Sequence, residues 1–301
     1  MLLIRETRVH ELGNRNVSCR IKMKMEEVCM YYTDEKLRQL QNALVEILEY
    51  VKRVCEQNDL QYLLIGGTAL GAKRHEGFVP WDDDIDIGLP RSDYEKLVTI
   101  LRKQNNGYIL QDEYNEPNYF CPFVKVRKEG TIFKEKISVG LYKNNGIYID
   151  VFPIDTLSSR SSLKTIISMW NIKLLNHALR FRYCRSIYNR GAMLSKLKDW
   201  VLYIPFALIP RDCLLNMLKK NMTAQNKEEK KYAANFAGTN KIEKEIMDYS
   251  TFFPVREIMF EGHLYPCPRD IDVYLRNLYG DFMKLPPIEK RKTHEPLELK
   301  F

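Results

Sequence analysis

The run Trp81-Asp82-Asp83-Asp84-Ile85-Asp86-Ile87 constrains this 301-residue chain more than any other stretch. From Asp84 to Ile87, carboxylates alternate with isoleucines, the pattern of a half-buried strand. On such a strand Asp84 and Asp86 project from one face, and Ile85 and Ile87 enter the core from the other. Neighbouring carboxylates repel each other unless a cation sits between them. Hard oxygen ligands suit Mg²⁺ or Mn²⁺. Asp82 shares their parity if the strand begins early, whereas Asp83 points away; both are expected to support the site. The plain alternative is a solvated acidic strand end, and the isoleucines set among the carboxylates argue against it.

What precedes this run gives it a context. Thr33 is a good helix N-cap, followed by Asp34 and Glu35, and Leu37, Leu40, Leu44, Ile47, Leu48, Val51 and Val54 repeat at helical spacing. Tyr62 to Ile65 reads as a short strand, Gly66-Gly67 as a tight turn, and Thr68 to His75 as a helix. Glycines let a backbone approach phosphate, and amides at a helix start attract anions, so Gly66, Gly67 and Thr68 are candidate substrate contacts. Strand, glycine turn, helix and Asp-x-Asp strand follow in the order of a nucleotidyltransferase fold. The expected class is therefore α+β: a nucleotidyltransferase-type mixed sheet core with helices, plus a mainly helical insertion.

That fold adds a third carboxylate on a later strand. Asp150, inside the apolar strand Tyr148 to Phe152 that Pro153 closes, is the first candidate for catalysis and metal binding beside Asp84 and Asp86. Asp155, expected in a turn, is the second. Arg74, His75, Lys125, Arg127, Lys290 and Arg291 are candidate phosphate contacts, with a solvated surface charge as the alternative for each. Trp81 would stack on a base or cap the core.

The chain divides into a tail at 1–32 without periodicity, a catalytic core at 33–155, a helical region at 156–230 and a C-terminal segment at 231–301 that completes the catalytic domain. Phe123 to Arg127 and Thr131 to Phe133 flank a turn and predict a hairpin. Leu163, Ile166, Ile167, Trp170, Leu174, Leu175 and Ala178 form one helical stripe. The apolar run Trp200 to Pro210 is too short to span a bilayer. It fits a buried core hairpin or an interfacial segment, with Lys196, Lys198 and Arg211 as basic flanks for an anionic membrane surface.

A net charge of +8 points to an anionic partner. No Lys/Arg block reads as a nucleic-acid arm, and the denser zone at Arg180, Arg182, Arg185 and Arg190 is no exception. Seven cysteines without a CxxC exclude a disulfide framework and suit a reducing compartment. Charges interrupt every N-terminal apolar run, so no secretory signal is read and a cytoplasmic place is expected, peripheral at the inner face of the cell membrane if the apolar run is interfacial.

The run from Leu64-Ile65-Gly66-Gly67-Thr68 through Trp81-Asp82-Asp83-Asp84-Ile85-Asp86-Ile87 resembles the LicD family. Arg91-Ser92-Asp93-Tyr94 extends the likeness, as does Tyr279-Gly280-Asp281-Phe282-Met283-Lys284-Leu285-Pro286-Pro287 with Lys290, Arg291 and His294. Ile149-Asp150-Val151-Phe152-Pro153-Ile154-Asp155 fits the family's third acidic strand. The likeness runs from about Thr33 to the end and fades in 156–230. It implies transfer of phosphocholine from CDP-choline to cell-surface glycans or teichoic acids, or, as in fukutin-related protein, of ribitol phosphate from CDP-ribitol, with CMP released. Transfer of NMP to a small molecule or RNA, and a non-catalytic role in glycan assembly, are the alternatives.

Overall fold

The computed structural model describes residues 33–301, apart from 105, 137–138, 185–198, 292 and 295. The expected tail at 1–32 and the basic residues Arg185, Arg190, Lys196 and Lys198 lie outside the described residues. Helix α1 (Asp34–Gln57) begins as its sequence dictates: the Thr33 side chain accepts a hydrogen bond from the Lys36 amide, and Asp34 and Glu35 lie in the first turn. Its apolar stripe is buried from Leu37 to Val54 and packs on the sheet.

Along the chain follow β1 (Leu63–Leu64), α2 (Gly66–His75), β2 (Asp86–Pro90), α3 (Arg91–Leu101), β3 (Tyr108–Gln111), β4 (Val124–Lys128), β5 (Ile132–Lys134) and β6 (Tyr148–Leu157). The helical region holds α4 (Leu163–Tyr183) and α5 (Arg211–Met222). Then come β7 (Tyr232–Ala234), α6 (Ile242–Glu245), β8 (Met247–Asp248), α7 (Tyr249–Phe252), β9 (Arg256–Phe260), β10 (His263–Cys267), α8 (Ile271–Tyr279) and β11 (Glu298–Lys300). The main sheet is mixed, ordered β1-β2-β6-β4-β3, with β7 on β6 and β8 on β7. Strands β2 and β6 are parallel, and the remaining pairs of this sheet are antiparallel. The α+β class holds, with a mixed sheet and helices around it.

Several local expectations change. Gly66 and Gly67 are not a turn before the helix but its first two residues. The β2 strand starts at Asp86, so Asp84 lies in the extended approach to it. The hairpin expected around Lys128-Glu129-Gly130 does not form. Both edges of β4 are already taken, by β3 and by β6, so β5 pairs instead with the C-terminal β11.

Nor does Pro153 close its strand. The Asp150 amide donates to Ile85 O of the β2 approach, so even-numbered amides of β6 face that neighbour and odd-numbered ones the opposite edge. On that edge β4 covers 148–151 and β7 covers 155–157. Pro153 falls in the gap between them, where its missing N–H costs no ladder bond.

Asp155 is consequently a strand residue, fully buried, held by Arg91 Nε at 2.8 Å and Nη2 at 2.6 Å. Asn226 Nδ2 donates to it as well, at 2.6 Å. Removing one partner of a buried ion pair leaves an uncompensated charge and costs about 3–5 kcal/mol. Asp155→Asn is expected to lower stability by roughly that amount in a denaturant titration; a loss under about 1 kcal/mol would show that the pair does not brace β6.

Candidate active site

On one face of the sheet a cavity of about 460 Å³ is lined by Asp84, Asp86, Asp150, Lys125, Tyr274 and His294, among others. Register builds its floor. Asp86 on β2 stands opposite Asp150 on β6, and Asp150 stands opposite Lys125 on β4. Residues opposite each other in a sheet share a face, so the two carboxylates and the ammonium are neighbours. Lys125 Nζ donates to Asp150 Oδ1 at 2.7 Å and lies 3.6 Å from the centroid of the Tyr148 ring.

The N-terminus of α2 closes against this floor. The Asp86 amide donates to Thr68 Oγ1 at 2.8 Å, fixing the strand to the helix. A Cβ on Gly66 would lie 2.8 Å from Asp86 Oδ2, and one on Gly67 3.0 Å from Asp82 Oδ2. Gly66 also has φ +57°, which a side chain would resist. The glycine pair thus lets carboxylates, rather than a bare phosphate loop, come against the helix start, where the helix dipole favours negative charge. The Gly66 amide itself donates to Tyr274 Oη at 3.0 Å.

His294 reaches the cluster from the C-terminal segment. Its amide donates to Asp83 Oδ2 at 2.9 Å, its Nδ1 lies 2.9 Å from Asp83 Oδ1, and its Nε2 lies 3.7 Å from Asp84 Oδ2. Burial opposes the imidazolium. The hydrogen bond with Asp83 and the charges of Asp84, Asp83 and Glu135 outweigh it and carry His294 up to about 10.

Burial is also the first cause that raises Asp82, Asp84, Asp86 and Asp150 above the usual carboxylate range. Asp84 beside them pushes Asp82 and Asp86 well above it. His294 restrains Asp84, and Lys125 restrains Asp150. Among the described residues no group of three or more His, Cys, Asp or Glu side chains is arranged as it stands to enclose or hold a metal ion. A closed shell is not what Mg²⁺ requires: it takes one or two carboxylates, waters and substrate phosphates. The oxygen donors and their crowding fit such a hard cation, with Asp84, Asp86 and Asp150 as the residues to hold it.

The other expected contacts are placed less centrally. Thr68 lies beneath the floor, bonded to the Asp86 amide. Arg74 donates to Phe282 O at 2.7 Å and to His75 Nε2 at 3.0 Å, and neither residue lines the cavity. Burial and then Arg291 lower the Arg74 pKa while Asp82 raises it, and none of these three residues lines the cavity. Arg291 lies 4.2 Å from the centroid of the Trp81 ring, which makes Trp81 a platform for a cation. Lys290 is exposed and away from the cavity. Arg127 is buried, bonded to Gln111 Oε1 and Gly146 O, and is a core residue rather than a phosphate contact.

Sequence reading missed Tyr274, Asn235 and Glu245, all of which line the cavity, as does Tyr279 from the C-terminal family run. They come from distant elements by tertiary packing, and no local spacing marks them. His294 carried a family signal but no assigned role.

The fold and site together define an α+β protein that gathers carboxylates from two parallel strands at a helix N-terminus inside a partly buried cavity. Residues 59–190 match the family model described as LicD/FKTN/FKRP, nucleotidyltransferase domain. Over 272 residues the chain is 26% identical to the lipopolysaccharide cholinephosphotransferase LicD of Haemophilus influenzae, covering 86% of this chain and 95% of that protein. Over 112 residues it is 32% identical to the ribitol 5-phosphate transferase FKRP of Mus musculus and 31% to that of Homo sapiens. Each of these matches covers 37% of this chain and 20% of the relative. The likeness to the LicD family is thus direct over residues 59–190 and extends, at 26% identity, over most of the chain.

Glu245 supplies a test of the cavity's electrostatics. It is 3% exposed, accepts from Asn240 Nδ2 at 2.7 Å, and is pushed by burial from 4.5 up to about 7. The folded state prefers it protonated, so its effect on stability is lost as pH rises from about 4.5 through 7. Glu245→Gln is expected to flatten the fall in stability of the metal-free protein over that window, by up to about 3 kcal/mol at pH 8. An unchanged pH profile of thermal unfolding would show that the carboxyl is hydrated in solution.

Proposed function

We propose that this protein transfers a phospho-alcohol, phosphocholine or a similar group, from a CDP-alcohol to a hydroxyl of a cell-surface glycan or teichoic acid, releasing CMP. The observation that carries the reading is the in-register pair Asp86 and Asp150, with Asp84 beside it, opening on a cavity of substrate size. The named activities of the relatives support it, since a cholinephosphotransferase and a ribitol 5-phosphate transferase both move an alcohol phosphate. A bound Mg²⁺ or Mn²⁺ would supply charge neutralisation for the diphosphate and for the departing CMP.

The chain's own residues divide the remaining work. Asp84, Asp86 and Asp150 are the residues that would hold the cation. Lys125, through its contact at 2.7 Å, opposes the burial that raises Asp150 and would add positive charge beside the diphosphate. The His294 imidazolium balances Asp83 and Asp84 and fixes their orientation. Arg74 and Arg291, outside the cavity lining, would add positive charge in the neighbourhood of Asp82. Only one Asp150 oxygen accepts from Lys125, so the other is available to take the proton of the attacking hydroxyl. That hydroxyl oxygen forms a bond to the phosphorus as the phosphorus–oxygen bond to CMP breaks.

The product decides between this reading and NMP transfer. With Mg²⁺ and a panel of CDP-choline, CDP-ribitol and CDP-glycerol, at least one donor is expected to yield CMP; pyrophosphate from a nucleoside triphosphate, with no CMP from any donor, would reverse the assignment. Asp84→Asn and Asp86→Asn are expected to lower CMP release by roughly a hundredfold or more while unfolding as wild type does. Near-wild-type turnover by either variant at saturating Mg²⁺ would remove it from the site.

A further inference from the structure

The stripe read along α4 is only half buried. At its C-terminal end Leu175, Ala178 and Phe181 are covered, but Leu163, Ile166, Ile167 and Trp170 are exposed, Leu163 by 73% and Trp170 by 69%. These four stand at i, i+3, i+4 and i+7, which is one continuous helix face. Further along the same face, at His177 and Phe181, the segment 199–209 takes over as cover. Trp200 and Tyr203 pack on the Phe181 ring at 5.4 and 4.8 Å, and Asp199 Oδ1 lies 3.7 Å from His177 Nε2. Arg182 ties the segment down through Tyr203 Oη and the carbonyls of Phe206, Ala207 and Ile209.

The cover does not end the apolar surface. Val201, Ile204 and Leu208 on it are exposed, Leu208 by 97%, and no residue of Ile204–Phe206 is buried. The run Trp200 to Pro210 is therefore not a core hairpin. Exposed apolar side chains along one helix face, with more on the segment packed against the far end of that helix, mark an interaction site. Charge indicates the occupant: between Asp155 and Asp199 the sequence holds nine lysines and arginines and not one Asp or Glu. Lys164 and Lys173, on α4 among the bare side chains, pair with Glu228 and Glu243 across exposed surface, contacts that cost little to exchange for lipid phosphate. Lys173 also lies 5.9 Å from the Trp170 ring centroid. Among the described residues no single helix is long and apolar enough to cross a membrane.

We propose that the outer face of α4, continued by the segment 199–208, is a docking surface for an anionic lipid bilayer, on which the protein lies without spanning it. The apolar side chains enter the headgroup boundary, and Lys164 and Lys173 stay at the phosphate level, as in interfacial helices. Indole rings such as those of Trp170 and Trp200 suit that depth.

Vesicle flotation tests this without any turnover assay, so its outcome is separate from that of the proposed reaction. Wild type is expected to float with vesicles of phosphatidylcholine and phosphatidylglycerol, less with phosphatidylcholine alone, and less as salt rises. Ile167→Ser with Trp170→Ser is expected to lower partitioning at least tenfold, with an unchanged unfolding midpoint. Leu264→Ser, which removes an exposed apolar side chain from β10, is expected to float as wild type. Wild type that stays soluble with anionic vesicles at low salt would overturn the proposal. So would a double variant that floats as well as wild type. Concentration-dependent dimerisation without flotation, lost in the double variant, would overturn it in favour of a second copy of the chain on this face.

Discussion

Asp86 and Asp150 face each other across a pair of parallel strands, and much of the local structure follows from making that juxtaposition tolerable. Two adjacent carboxylates in a partly buried sheet disfavour ionisation through burial and mutual repulsion. The fold answers with three contributions from three places. Lys125 comes from the next strand, the α2 N-terminus from the preceding unit, and His294 from the far end of the chain. Gly66 and Gly67 are required because any side chain there would occupy the space the carboxylates need. These contributions do not fully compensate, since all four carboxylates remain raised by burial. The remaining imbalance is what a hard cation would relieve.

The last third of the chain completes the cavity. Strand β7 joins β6 beyond Pro153, α8 brings Tyr274 to the Gly66 amide, and the C-terminal segment delivers His294. The β5–β11 pairing fastens that segment to the core. The cavity therefore depends on contacts between residues some two hundred positions apart in sequence, so truncation near the C-terminus would disturb it as well as the fold.

Much of the arrangement was legible because short-range rules govern it. The alternation in Asp84-Ile85-Asp86-Ile87 placed the carboxylates, and Thr33 with its acidic first turn placed α1. Asp150 could be nominated from its apolar neighbours, although nothing local revealed that it would meet Asp86 in register. The failures share a cause. The false hairpin, the early stop at Pro153 and the turn assigned to Asp155 all depend on which strand occupies which edge, and strand order is set by the whole sheet. Tyr274, Glu245 and Asn235 enter the cavity by packing alone. The half-exposed α4 stripe has the periodicity of a core helix, and periodicity states that a face is apolar without stating what covers it.

The proposed reaction requires that the carboxylates of β2 and β6 form a hard-cation site shared with a nucleoside diphosphate. Mn²⁺ binding followed by electron paramagnetic resonance, with and without CDP, tests this directly. Weak Mn²⁺ binding by the protein alone is expected, with tightening by roughly tenfold or more when CDP is added, and with loss of that tightening in Asp86→Asn and Asp150→Asn variants that unfold as wild type does. Mn²⁺ binding that CDP does not alter, or that both variants retain in full, would contradict it.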